Sequence, residues 1–584
     1  MPEEEIIMNV IGFKAAMCKN CYKCVRGCEV KAIAVENEQA KIMNDHCILC
    51  GHCLDICPQN AKSIISDLDI VKGFLADGKP VIVSLAPSYF GSMTCEAPGQ
   101  IITALKSLGF SRIHETSEGA VYVTAEYSRL LNEGTMDNII TTACPSINDL
   151  IEIYYPELVP YLAPVDSPMI AHGKLLHHRY GEDAHYVFIG PCIAKKREAE
   201  GDRRSQGYID AVLNFKEVEE WFQQEQIDVC SLTPSEPDNE NPEVNRLYPV
   251  SGGILSALAA YPETASAGNY RKFYVHGIKN CVDLFDSMRR GEVHGSFIEV
   301  NTCTGGCIKG PGTDHDHISR FKVKLDMEEA IAKRPTPKTY PALPEGVSIA
   351  KAFVDRSPKE PTPTEEEIAQ ILAKIGKTKP EHLLNCGACG YPSCRDKAIA
   401  VFRGKAELTM CIPYMHDRAQ SMANVVLDTT PNIIFIADED MKILELSKTA
   451  EKVFHTNRAK ARELYLYDFI DHSDFMQVAE THEDIFGKKV EYKNIGITTL
   501  QSIVYIEKHR CVLGIFQDIS KEEAEKDRAY KLRVETIEMA QNVIDKQMMV
   551  AQEIAGLLGE TTAETKVTLT KLRDMILFDG EDQA

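Results

Sequence analysis

Apolar and polar positions change period several times along the chain. Three short runs rich in β-branched residues each end in a cysteine beside a Gly- or Pro-containing turn: DNIITTAC over 137–144, HYVFIGPC over 185–192 and GSFIEVNTC over 295–303. Such a run predicts a buried strand feeding a loop. In an open α/β sheet, ligand sites form outside the carboxyl ends of strands. Cys144, Cys192 and Cys303 are therefore expected to converge, with Cys307 four residues beyond the last. Residues 333–363 break the pattern with seven prolines, which predicts a semi-rigid linker. After it, Thr364-Glu365-Glu366-Glu367 opens a helical period through Ile375. Farther on, TTPNIIFIADEDMKILELSKTAEKVF reads as strand, turn at Asp438–Asp440, strand and helix. From Lys521 the period is helical again. Ile537, Ala540, Ile544, Gln547, Ala551, Ile554 and Leu558 alternate by three and four, a heptad seam interrupted by Gln547. An amphipathic helix packed on its own domain would show this pattern; the expectation adopted is a parallel coil that makes a homodimer.

Length, charge and cysteine count narrow the class. A chain of 584 residues suggests roughly three to five domains. Its 44% hydrophobic and 26% charged residues exclude global disorder. No apolar run approaches the roughly 18–20 residues that span a bilayer, and the acidic start MPEEEIIMNV lacks a signal-peptide pattern. Membrane insertion is not expected, and a cytoplasmic location is. The formal charge of −22 disfavours nucleic acid as a partner. Twenty cysteines without an export signal point to metal or redox chemistry rather than disulfides.

Their spacing is specific. Residues 18–28 and 47–57 both read C-x2-C-x2-C-x3-C, at an offset of 29. Three thiolates of one run can reach three corners of an iron–sulfur cubane, and the last cysteine of the other run supplies the fourth. Cys18, Cys21, Cys24 and Cys57 form one ligand set, and Cys28, Cys47, Cys50 and Cys53 the other. Zinc accepts CxxC pairs, but it does not explain two matched runs of four. Residues 1–65 resemble a bacterial two-cluster ferredoxin. A third set, Cys386-x2-Cys389-x4-Cys394-x16-Cys411, resembles the small 4Fe-4S domain of corrinoid iron–sulfur and electron-transport proteins, with zinc as its alternative. Cys95, Cys230, Cys281 and Cys511 remain and read as ordinary buried thiols.

The loops after the three strand-like runs carry a further resemblance. Thr141-Thr142-Ala143-Cys144-Pro145, Gly190-Pro191-Cys192 with Lys195 and Glu198, and Glu299 with Cys303, Gly306-Cys307 and Gly310 are similar to the signature loops of the FeFe-hydrogenase active-site domain. The similarity covers roughly residues 70–355. It implies that Cys144, Cys192, Cys303 and Cys307 hold the cubane of an H-cluster. It also implies that Cys307 bridges to a diiron subcluster bearing CO, cyanide and a dithiolate, and that Lys195 donates to one cyanide. Lys196 and Arg197 read as solvated. The departures matter as much. Ala143 stands where the family has its proton-relay cysteine. Tyr127 and Leu130, after Glu126, stand where its relay glutamates fall. Gly190 and Asn301 replace two methionines. Because acid–base relays contribute about 10²–10⁴-fold, slow turnover is expected.

Residues 425–520 resemble a PAS domain, closing in CVLGIFQDIS, with Ser447 where many members have Asn. Among His455, His472, His482 and His509 no haem ligand is expected, and the PAS ligand stays open. The expected fold class is multidomain, α/β and α+β. It comprises a two-cluster ferredoxin-like domain (1–68), an H-cluster α/β domain (69–332), a Pro-rich linker (333–363), a single 4Fe-4S domain (364–420), PAS (425–520) and a C-terminal coiled-coil segment (521–584). Three 4Fe-4S clusters plus an H-cluster are implied. The combination resembles sensory hydrogenases, which implies H2 and protons as substrates, a ferredoxin or other redox partner, and a signalling effector acting downstream. Two rivals stay open: a catabolic, ferredoxin-linked hydrogenase with another proton path, and a non-enzymatic Narf-like iron–sulfur protein without the diiron unit.

Overall fold

The computed structural model describes residues 9–239, 244–261, 270–314, 319–332, 339–555 and 562–578. The chain forms two compact units, Met1–Met415 and His416–Ala584.

The first unit begins with β1 (Ile11–Phe13), β2 (Ile33–Glu36), β3 (Gln39–Ile42) and β4 (Lys62–Ile64); β1 pairs with β4 and β2 with β3, both antiparallel. Next come β5 (Val81–Leu85), β6 (Arg112–Glu115), β7 (Asn138–Ile140), β8 (His185–Gly190), β9 (Ala211–Asn214), β10 (Arg271–His276) and β11 (Ser296–Asn301). They build two parallel sheets, ordered β6-β5-β8-β9 and β10-β11-β7. Every residue of β5, β7 and β11 is buried. Parallel strands covered on both faces read as unbroken apolar runs, which is how these strands stand out in the sequence. The three strands that lead to Cys144, Cys192 and Cys303 do not lie in one sheet. Cys192 follows β8 of the first sheet, whereas Cys144 and Cys303 follow β7 and β11 of the second, so two sheets feed the site.

The proline-rich segment is extended, but from Val347 onward it is pinned to this domain. The Asp166 amide donates to the Ile349 carbonyl (2.8 Å), and the Lys351 amide donates to that of Pro164 (3.2 Å). Lys351 Nζ donates to Ser205 Oγ (2.7 Å) and pairs with Asp202 (3.0 Å). Arg356 pairs with Asp149 (2.7 Å) and Glu152 (3.3 Å). Pro335 and Pro337 lie outside the described residues.

A helix at Glu365–Lys374, closed by a Thr364–Glu367 capping box, and one at Cys394–Phe402, capped by Ser393, frame the third cysteine set. This module shares a core with the N-terminal one: Cys24, Val25, Ile33 and Val35 pack with Tyr391, Ala400, Ala406 and Met410. Arg26 Nη1 donates to the Ala388 carbonyl (3.2 Å), and the Val35 amide to that of Lys405 (3.0 Å).

The second unit contains a five-stranded antiparallel sheet of β12 (Ile433–Asp438), β13 (Ile443–Leu446), β14 (Ile485–Tyr492), β15 (Ile497–Ile506) and β16 (Cys511–Asp518), ordered β13-β12-β16-β15-β14. Phe435, Leu446, Phe475, Val512 and Phe516 lie in its core. Ser447 caps the helix Lys448–Val453, accepts from the Ile434 amide (2.9 Å) and donates to the Asn432 carbonyl (2.9 Å). That double role suits a short polar side chain at a strand-to-helix corner. None of His455, His472, His482 and His509 is buried. A helix then runs over Ser520–Ala555. Along it Ile537, Ile544 and Ala551 are half-buried and Ala540, Gln547 and Ile554 exposed, while Leu558 lies outside the described residues. Among the described residues, no helix is long and apolar enough to cross a membrane.

Candidate metal centre and its cavity

The loops after β7, β8 and β11 bring Cys144, Cys192, Cys303 and Cys307 around one cavity of about 40 Å³. Each loop is locally determined. Cys144 caps the helix Pro145–Tyr154, with Pro145 at the first helical position, where a missing N–H costs nothing. Gly306 takes φ +93°, and a Cβ there would lie 2.2 Å from the Pro249 carbonyl oxygen. Only glycine fits this conformation and close approach.

The donor set suits a metal cluster. Burial, with Cys144 beside it, pushes the Cys192 thiol up to about 11. Burial and neighbouring thiols push Cys303 and Cys307 higher still. Four thiolates cannot share such a site without cationic charge, and a cluster supplies it.

Cys307, Cys192, Lys195, Ala143 and Asn301 also line a second cavity, of about 90 Å³. Lys195 Nζ pairs with Glu198 (2.6 Å) and donates to the Ala143 carbonyl (3.4 Å). Ser88 and Ser117 line this cavity too, and their buried hydroxyls have no hydrogen-bond partner. Buried polar atoms are rarely left unpaired, so these two donors fit a cavity built for a polar guest. Sequence reasoning missed both serines, since a lone Ser carries no spacing signal. Gly190 leaves room that Phe188 occupies: a Cβ would sit 2.6 Å from its ring.

Ala143 places only a methyl group at the cavity. On the helix Ser117–Glu133, Tyr127 and Leu130 are buried. Tyr127 Oη accepts from the Thr142 amide (2.9 Å), and its ring meets Phe297 edge-on (5.7 Å). Glu126 turns to Arg129 instead (3.0 Å). Tyr127 and Leu130 therefore carry a phenol and an isobutyl group rather than carboxylates.

Two expectations are corrected. Lys196 is 1% exposed, pairs with Asp67 (2.8 Å) and donates to the Val212 carbonyl (2.6 Å); Arg197 pairs with Asp149 and donates to the Cys47 carbonyl (2.7 Å). Neither is solvated, because Asp67 holds the first and Asp149, on the helix Pro145–Tyr154, holds the second. Cys281 and Cys511 are buried as expected, but Cys230, in a single 3-10 turn over Val229–Ser231, is exposed, and Cys95, in the loop before the helix Gly99–Ser107, is half-buried.

In the N-terminal module, Cys28, Cys47, Cys50 and Cys53 are mutually close, and each feels its neighbours' charge. Burial pushes Cys28 up to about 11 and Cys50 up to about 12. Cys50 also lines the 40 Å³ cavity. Of the other set, Cys24 is buried, Cys18 and Cys57 half-buried and Cys21 exposed. Cys386, Cys389, Cys394 and Cys411 surround a cavity of about 20 Å³ with the buried Lys397 beside them. The Tyr391 side chain lies near both Cys389 and Cys28, linking this set to the N-terminal one.

The chain therefore combines iron–sulfur modules, a hydrogenase-type α/β domain and a PAS domain. The family described as iron-only hydrogenase large subunit, C-terminal domain, matches residues 79–311, a 4Fe-4S dicluster domain matches 11–58, an Fe-S cluster family 384–413 and the PAS fold 422–519. Residues 79–311 are thus similar to the large-subunit domain of FeFe-hydrogenases and stand in one chain with a segment similar to the PAS fold. Iron hydrogenase 1 of Clostridium pasteurianum is 29% identical over 329 residues, which are 47% of this chain and 57% of that protein. The periplasmic Fe hydrogenase large subunit of Nitratidesulfovibrio vulgaris is 27% identical over 308 residues, 45% of this chain and 70% of its own. The nuclear prelamin A recognition factor of Xenopus laevis is 22% identical over 376 residues, 52% and 82% of the two chains.

Proposed function

We propose that the protein is a sensory FeFe-hydrogenase, which binds H2, turns it over slowly and reports through its PAS domain. The supporting observation is the pair of adjoining cavities. One is ringed by four cysteines, and it meets, at Cys307, a second bearing Lys195 and two unpartnered hydroxyls. Cys144, Cys192, Cys303 and Cys307 would hold the cubane, and the second cavity the diiron unit. When bound, that unit supplies the redox chemistry of H2 and protons. Lys195, Ser88 and Ser117 would donate to its polar ligands, and the Lys195–Glu198 pair fixes the ammonium's position. Phe188, Met169 and Pro168 exclude water. Ala143 moves no proton, because a methyl group neither donates nor accepts.

Electrons would pass from the centre to the Cys28, Cys47, Cys50 and Cys53 cluster, because Cys50 borders the centre's cavity. The cluster of Cys386, Cys389, Cys394 and Cys411 would follow, across Tyr391. Cys18, Cys21, Cys24 and Cys57 would hold a fourth cubane and face an external redox protein such as a ferredoxin. The long C-terminal helix would pair as a homodimer coil whose two-state packing carries the signal to an effector. Hydrogen exchange over 520–555, measured in matured protein under H2 and under argon, tests the sensory part. A difference is expected that disappears in Cys307→Ala. Identical exchange would leave a slow enzyme. The match to the nuclear prelamin A recognition factor supports a second reading, a Narf-like iron–sulfur protein whose second cavity never takes a diiron unit.

A further inference from the structure

A line of buried polar side chains leads away from the 90 Å³ cavity. Thr116 lines the cavity, and its Oγ1 lies 2.9 Å from Ser84 Oγ on β5. Ser84 Oγ lies 2.8 Å from His172 Nδ1. His172 Nε2 faces Glu118 Oε2 at 3.6 Å; the same carboxylate oxygen is 2.8 Å from His114 Nδ1. His114 Nε2 meets Tyr180 Oη at 2.9 Å. Ser84, Thr116, His172, Glu118 and His114 are each at most 5% exposed, whereas Tyr180 is 37% exposed. The line thus runs from the cavity to solvent through groups that can each accept one proton and release another.

We infer that Thr116, Ser84, His172, Glu118, His114 and Tyr180 form a proton relay serving the cavity, in place of the route that Ala143, Tyr127 and Leu130 do not supply. This rests on the reading of that cavity as the diiron site. Each proton released there is taken up at Thr116 as another leaves Tyr180 for water, and protons for H2 formation travel inward by the same hops. No group changes oxidation state, and the two electrons per H2 go to the cysteine-bound clusters.

Three features favour transfer over mere packing. First, His172 Nε2 is buried yet makes no close hydrogen bond, only facing the Glu118 carboxylate at 3.6 Å. A purely structural histidine would normally satisfy both nitrogens. Second, burial lowers the pKa of His172, so its neutral form, free to accept a proton, prevails. Third, each end of the line is placed for exchange, one in the cavity and one at the surface. The charged groups around it are Arg179, 3.7 Å from Glu118 and 3.5 Å from His114, and Asp238, near His114. His114, Glu118 and His172 also have the spacing of a metal site, with ligand atoms within 4.8 Å of one another. The guanidinium of Arg179 already supplies a cation there, which opposes a second. The 3.6 Å step between His172 and Glu118 is the longest, and it matches a slow device.

The test uses full-length matured protein and the variants Glu118→Gln, His172→Gln and Tyr180→Phe. Infrared bands of metal-bound CO and cyanide should be unchanged in all three, while H2 evolution falls about 10²-fold in the first two, the low end for an acid–base relay. Its solvent isotope effect should rise, and added imidazole should restore part of the rate in His172→Gln. Tyr180→Phe, at the exposed end, keeps the fold and should shift the pH profile. Independently of turnover, ¹⁵N-histidine NMR of protein lacking the diiron unit should show the His114 and His172 ring resonances both shifting in Glu118→Gln, since both rings face that carboxylate. Intact bands with unchanged rates and isotope effects would overturn the relay. So would stoichiometric zinc that is lost in His172→Gln. Absent CO and cyanide bands in the wild type would instead overturn the diiron reading, and the relay with it.

Discussion

Gly390→Ala probes how the third cysteine set is joined to the N-terminal module, on which the electron route depends. Gly390 takes φ +95°, and an added Cβ would lie 2.9 Å from Val25 Cγ1 and 3.2 Å from the Arg26 amide nitrogen. Val25 is fully buried, so it has little freedom to yield. Left-handed backbone in a non-glycine residue costs about 1–3 kcal/mol. Overpacking a filled contact costs about 1–3 kcal/mol more. Only the overpacking acts across the interface, and even its lower limit, about 1 kcal/mol, would make the interface open roughly five times more often. Two amides report that opening: Val35, bonded to the Lys405 carbonyl, and Glu38, bonded to Glu407 Oε1 (3.2 Å). Hydrogen exchange of the reconstituted protein should therefore quicken by at least that factor at both. Gly376→Ala is the control, because Gly376 has φ +75° but open space around its Cβ position. It should leave both amides unchanged. Wild-type exchange at Val35 and Glu38 in Gly390→Ala would refute the packing of the two modules, and with it the Tyr391 bridge.

Other outcomes follow from the same physical chemistry. Lys196→Met should cost about 3–5 kcal/mol by leaving Asp67 buried and unpaired, and Asp67→Asn should return part of it; denaturant titration of the double-mutant cycle measures both. Burial pushes the Asp166 carboxyl up to about 6 although Lys174 lies 2.6 Å away. Its protonated form is thus favoured on folding, so stability should fall as pH rises from about 4 to about 6, and Asp166→Asn should flatten that stretch of a thermal-melt profile. Protein reconstituted anaerobically without diiron assembly should hold about 16 irons, four per cubane; a value near 12 with bound zinc would remove the Cys386–Cys411 cluster. Ala143→Cys should raise H2 evolution by less than the full 10²–10⁴-fold of an intact relay, because Tyr127 and Leu130 supply no carboxylate to continue it; a full recovery would contradict that reasoning.

Much of the site was legible because cysteine spacing and strand-end position are both one-dimensional signals. The runs ending at Cys144, Cys192 and Cys303 became strands over Asn138–Ile140, His185–Gly190 and Ser296–Asn301, since buried parallel strands leave continuous apolar runs. What escaped was set by tertiary neighbours. Nothing near Lys196 announces Asp67, more than a hundred residues earlier, and nothing in a proline-rich segment reveals that Arg356 will meet Asp149 and Glu152. The division into two sheets was hidden because β7, β8 and β11 read alike. The histidine–glutamate line was missed for a related reason. His114 and Glu118 are four residues apart, but the third member, His172, comes from another helix and Ser84 from another strand.

The infrared spectrum of anaerobically matured protein tests the central claim most directly. Bands of metal-bound CO and cyanide are expected, they should shift when argon is replaced by H2, and they should be lost in Cys307→Ala. A protein with its full complement of cubane iron but no such bands would contradict a sensory hydrogenase and leave an iron–sulfur protein without a diiron unit.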